Sequence, residues 1–218
     1  MRTRTIKLFL AASAFIIAFT SCQKEADYAG SNGNSTGSGG SGSTGNTNDI
    51  IGDYDFVGMV AHTQSTVTVA DQGQQLKAVT VSDYATKDNV GTAKITSNQF
   101  IANGIGYSID TTMNVKTYVD NVLFDDSDVP YVGTAPPSSS VSPYVRVTAD
   151  SITITGAFGV SPDPSGTVPT GPVGVKLSWS GDTLLLKINS TFTQSVTQNG
   201  VPGVITGTVV GVTKLKKH

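Results

Sequence analysis

The chain has 218 residues, 14 basic and 16 acidic side chains, and a formal net charge of −2. Without a basic patch, that balance argues against nucleic acid and anionic membrane surfaces as electrostatic partners. Its single cysteine forms no internal disulfide, and two histidines leave no zinc set, which needs three or four clustered His, Cys or carboxylate ligands.

Three compositional blocks follow in order: 1–21, 22–49 and 50–218. Arg2, Arg4 and Lys7 form a positive start, and residues 8–19 form an apolar run of 12. Such a run is too short for a bilayer span, which takes roughly 20 residues. Small residues lead to a cleavage point, so residues 1–21 read as a signal peptide that is removed. Removal leaves 11 basic and 16 acidic residues, a net charge of −5. The sole cysteine, Cys22, then stands first.

Thr20-Ser21-Cys22 resembles the lipobox of bacterial lipoprotein precursors, with Phe19 where those prefer leucine. The resemblance implies that the Cys22 thiol carries lipid, and buried acyl chains at about 0.8 kcal/mol per CH₂ make such an anchor permanent. Lys24-Glu25-Ala26-Asp27 is similar to the export signal of Bacteroidota-type surface lipoproteins. It implies an outer-membrane location, lipid-anchored and exposed at the cell surface. Residues 28–48 are almost wholly Gly, Ser, Asn and Thr. They cannot repay the entropy of ordering and read as a tether with a reach of about 25 Å.

Residues 50–218 suffice for one domain with a core. Glutamate is absent from it, helix formers are scarce, and Thr and Val abound. Strand-like runs recur at 50–60, 66–70, 76–84, 92–102, 105–110, 113–124, 144–149, 151–158, 173–180, 183–190 and 204–215. Turn signals fall at Asp71, Asp88, Asn103-Gly104, Ala149-Asp150, Gly181-Asp182 and Asn199-Gly200. The pattern predicts an all-β antiparallel sheet of about eight to ten strands, closed as a barrel or packed as a sandwich.

Alternation assigns the faces. Tyr54, Phe56, Gly58 and Val60 share one side, as do Leu184, Leu186 and Ile188, and Val175, Leu177 and Trp179. In 113–124, Lys116 and Asp120 face water, which sends Val115, Thr117, Val119, Asn121 and Leu123 inward. The polar members of that set mark either a wet cavity or a bulge that switches faces. Residues 125–143 and 161–172 read as two long, proline-stiffened loops.

Gly52-Asp53-Tyr54, the run Gly181-Asp182-Thr183-Leu184-Leu185-Leu186 and the basic end Lys214, Lys216, Lys217 together resemble lipocalin-like (calycin) domains of surface lipoproteins. That family opens on Gly-x-Trp, and here a tyrosine takes the tryptophan's place. The resemblance implies a barrel that binds a small or apolar ligand, with Phe100, Val119, Trp179 and Leu186 as cavity residues.

Catalytic constellations are missing from the pattern. His62 has aspartates and serines for company in the sequence but no Gly-x-Ser-x-Gly elbow, and a lone histidine at a strand end is usually solvated. Asp125, Asp126 and Asp128 offer oxygen ligands to calcium but lack EF-hand spacing, and such tracts are usually only hydrated. Trp179 lies on an apolar face, while Tyr131 and Tyr144 flank the first proline stretch as candidate sugar platforms. The expectation is therefore a non-catalytic protein with no cofactor. It would be held at the membrane by N-terminal lipid and bind a small ligand, or act as a structural or adhesive module through its loops. A hydrolase is the third reading.

Overall fold

The computed structural model describes residues 49–71, 73–155, 172–198 and 201–218. The stretch expected to be a signal peptide, Cys22, nearly all of the expected tether, most of the 161–172 stretch and the Asn199-Gly200 turn signal lie outside the described residues. Within them the chain forms β1 (Gly52–Asp71), β2 (Gln74–Ala85), β3 (Lys87–Ile95), β4 (Gln99–Val119) and β5 (Val122–Thr148). Then come β6 (Ser151–Ile154), β7 (Val173–Ser180), β8 (Thr183–Gln198) and β9 (Val201–Lys217), with no helix among the described residues. The β-branched composition is thus expressed directly as strand.

All nine strands belong to one sheet in the order β2-β1-β3-β4-β5-β6-β7-β8-β9, and β9 returns to β1. The sheet therefore closes on itself as a barrel-like ring, with antiparallel neighbours throughout, rather than splitting into two packed sheets. β2 and β3 occupy one lane: β1 pairs with β3 at 52–55 and with β2 at 60–71, and β4 likewise meets both. Closure satisfies the backbone groups that an open sheet leaves at its edges.

One cluster fills the ring. Tyr54, Phe100, Ile95, Ile105, Ile154, Leu184 and Leu215 are almost wholly buried in it. Tyr54 belongs to this core, and its hydroxyl donates to the Ile50 carbonyl at 2.6 Å. Ile50 is itself buried, so the chain enters the domain at the base of the ring. The turns at Ser97-Asn98, Ala149-Asp150 and Gly181-Asp182 lie at that end too.

A belt of irregularities crosses the sheet. β1 bulges between Phe56 and Gly58, β3 shifts register against β4 around Val90, and β4 shifts against β5 around Ile105. Thr86 pins the belt to β1: its N–H donates to the Met59 carbonyl at 2.9 Å, and its Oγ1 accepts from the Met59 N–H at 2.8 Å. Gly91 sits there at φ 101°, and a Cβ on it would run into the Gly104 carbonyl. A bulge adds a residue to one strand and bends it, so a row of bulges bends the sheet. It also switches faces. Beyond the β1 bulge Met59 and Ala61 point inward while Val60 is 37 % exposed, so Val60 does not share the face of Tyr54 and Phe56.

Other sequence expectations change too: the runs 50–60 and 66–70 are one strand, β1, and the Asp88 turn signal falls inside β3. Residues 113–124 are not one strand: Asp120 and Asn121, at φ 50° and 65°, form a two-residue hairpin turn between β4 and β5. Positive φ at both central residues is the twist a tight antiparallel hairpin needs, and Asp and Asn tolerate it best after glycine. Asn103-Gly104 is a bulge inside β4, not a turn. Residues 125–143 are not a loop but the body of β5, paired to β4 from Asp125 to Pro143. Pro130, Pro136 and Pro137 fit there because the opposite edge of β5 has no strand partner at those positions among the described residues, and the Pro143 carbonyl accepts from the Thr155 N–H at 2.9 Å.

Candidate functional site

Of the four residues expected to line a cavity, Phe100 (1 % exposed) and Leu186 (0 %) both lie in the packed core. Trp179 is half-buried against the same cluster, 6.4 Å from the Tyr54 ring centroid, with the Lys217 ammonium 5.8 Å from its own ring centre. Val119 stands apart, at the far tip of β4 between Leu76 and Val122. The structure brings together three of the four, and their surroundings are filled with side chains.

His62 is exposed on the outer face of β1, and its Nδ1 lies 2.8 Å from Asp83 Oδ1. Val210 flanks it on the other side, and no serine hydrogen-bonds it among the described residues. A shallow open depression lined by Val60, His62, Asp83, Tyr84, Val210 and Val212 surrounds the pair. The hydroxyl nearest the pair in the hydrogen-bond pattern, Thr111 Oγ1, donates to the Asp83 carbonyl at 2.7 Å instead of to the histidine.

The aspartate cluster is used locally. Asn114 Nδ2 donates to Asp126 Oδ1 at 2.9 Å and to Asp128 Oδ1 at 3.0 Å, and the Lys116 ammonium is 3.3 Å from Asp126. The hydrogen bond from Asn114, with Lys116 adding to it, holds the Asp126 carboxyl below its ordinary range. Asp125 instead accepts from Ser127. Strand alternation sends Asp125 to one face and Asp126 and Asp128 to the other, which separates the calcium ligands that adjacency in sequence suggested. Among the described residues no group of three or more His, Cys, Asp or Glu could hold a metal ion.

Neither tyrosine is an exposed platform. Tyr144 is buried, with its hydroxyl donating to the Thr96 carbonyl at 2.6 Å. Tyr131 folds over Gly133 and packs on the core.

The most prominent surface lies where single motifs did not point. β6 and β7 are only 4 and 8 residues long, whereas six lanes continue past them in the order β5-β4-β2-β1-β9-β8. They raise an open wing at the end of the ring opposite Ile50, tipped by the 71–74 and 120–121 turns. Its inner face continues the ring lining. By register it carries Val67, Leu76, Val115 and Ile205 in cross-strand rows, with Phe192 lying over Gly207.

Charge is divided between the faces. Lys77, Asp83, Asp110, Lys116, Asp126 and Asp128 project from the outer face, while in the inner-face rows through Ser65, Val67 and Val69 the one charged residue is Asp125, at the β5 edge. Where the wing leaves the core, Thr63 and Ser82 sit opposite each other, both buried. Most of the inner face above them is only half-buried. Sequence alternation could have shown the uncharged rows; that they share one face required the register.

No protein family, curated protein or solved structure matches this chain.

Proposed function

We propose that this chain is a non-catalytic, lipid-anchored cell-envelope protein that acts as a structural or adhesive module. Residues 1–21 direct export, Cys22 carries the lipid, and 22–49 tether the domain at the outer membrane, facing outward. The wing is its docking surface for a protein partner. One observation carries this reading: the six-stranded wing stands at the end opposite the chain entry and offers a face almost free of charge. A half-buried, nearly uncharged face on which valine, leucine and isoleucine alternate with serine and threonine suits an interaction surface. A small apolar ligand held among Phe100, Val119, Trp179 and Leu186 has less support, because Phe100 and Leu186 are already enclosed by core side chains.

Fractionation and cross-linking of whole cells test both halves. Wild-type protein should sediment with membranes and be cleaved by protease added to intact cells, while Cys22→Ala should become soluble. Formaldehyde should trap the wild-type chain in a protein adduct that Val115→Lys, at the centre of the inner face, loses. A membrane-bound Cys22→Ala protein overturns the anchor, and no adduct in wild-type cells overturns the docking surface.

A further inference from the structure

The wing is one layer of a structure that ordinarily needs two. Sheets bury an apolar face against another element, and a second sheet stacks at about 10 Å. Val67, Leu76, Val115 and Ile205 lie outside the packed core cluster and are half-buried, with the buried Val69 beside them. We infer that a second copy of this chain covers the inner face, with two wings packed face to face about a two-fold axis. This rests on the reading of the wing as a docking surface and names its occupant.

Two features select a second copy. The first is area. Six strands about 4.8 Å apart, over about ten residues at 3.3 Å each, give roughly 800 Å² per copy, the size of a standard stable interface. The second is charge. A two-fold axis sets a surface against itself, so any charged row meets its own sign. The outer face, with Lys77, Lys116, Asp110, Asp126 and Asp128, is a poor surface for such pairing. In the inner-face rows through Ser65, Val67 and Val69 the one charged residue is Asp125, at the margin. Threonine and serine hydroxyls between the apolar rows, among them Ser65, Thr80 and Thr117, keep that face soluble while it is uncovered.

Sedimentation of the chain from residue 22 onward, with Cys22→Ala, tests the inference. The wild-type sequence should run as a dimer at tens of micromolar. Val115→Lys should weaken the dimer by about a hundredfold or more, since each copy then buries an unpaired charge. Thr206→Lys, on the outer face, should leave it intact. A wild-type chain that is monomeric throughout, or a dimer that Val115→Lys leaves unchanged, overturns the proposal.

If Val115→Lys does not fold, labelling decides. Ala78→Cys on the inner face and Lys77→Cys on the outer face each give a chain with one thiol. Maleimide should label Ala78→Cys more slowly as protein concentration rises, and Lys77→Cys at a constant rate. Equal, concentration-independent labelling overturns self-association. If the chain is monomeric but cells still yield a Val115-dependent adduct with another protein, the docking surface stands and its occupant is not a second copy.

Discussion

Truncating Leu186 to alanine distinguishes a packed ring from a lined hollow. Leu186 is 0 % exposed and pairs with Leu177 on β7 and Thr213 on β9, deep in the cluster that holds Leu184 and Ile188. Leu186→Ala removes three carbon atoms, a transfer loss of about 2.4 kcal/mol at 0.8 kcal/mol each. The void left in a close-packed site adds to this, which places the total at about 3–4 kcal/mol. For a domain of this size that lowers the melting temperature by roughly 6–16 °C. Urea unfolding of the Cys22→Ala chain from residue 22 onward measures it, with the slope unchanged and the midpoint reduced. Val119→Ala, at the half-buried wing tip, should cost under about 1 kcal/mol. A Leu186→Ala loss below about 1.5 kcal/mol, or equal losses at the two sites, refutes a filled interior and restores the ligand cavity.

Two further substitutions probe the belt and the aspartate cluster. Gly91→Ala forces a side chain into left-handed backbone and against the Gly104 carbonyl, and should cost about 2–4 kcal/mol in urea; a loss under about 0.5 kcal/mol would show that β3 moves freely there. Asn114→Ala should raise the Asp126 pKa toward the ordinary 3.8, read by NMR titration. Because the folded-state value is depressed, this interaction stabilises the fold above the unfolded-state pKa and is lost as pH falls through the folded one; an unmoved Asp126 titration removes Asn114 as the cause.

Strand class and several faces were legible from residues alone. Leu184, Leu186 and Ile188 alternate with Leu185, Lys187 and Asn189, and the two polar members of the second set fix the face without any tertiary knowledge. The scarcity of helix formers likewise left little but strand. Segmentation was harder to read. The Asp120-Asn121 turn lacks the glycine that usually announces a tight hairpin, and it merged two strands into one. Conversely, Asn103-Gly104 carries a turn signal and forms a bulge, because the pairing of β4 with β3 and β5 continues across it. Prolines 130, 136 and 137 argue against a central strand, yet an edge strand accepts them, and edge position is a property of the whole sheet.

The same holds for the surface. His62 and Asp83 lie on different strands and only pairing brings them together, while Asp125 and Asp126 are adjacent in sequence and pairing sets them on opposite faces. The wing depends on β6 and β7 being short beside six long neighbours, a contrast of lane lengths that no single segment displays.

The long lanes also determine how the domain bears load. β1 runs unbroken for 20 residues from the ring base to the wing tip, flanked by β9 along nearly its whole length. Ladder hydrogen bonds lie across the strands, so a pull on the chain at Ile50, opposed by whatever grips the wing, strains many of them in shear together instead of unzipping them one by one. Thr86 ties β1 next to its bulge through two hydrogen bonds to Met59. A fold arranged in this way transmits tension from its entry point to its exposed end along a single covalent strand, as a strut does.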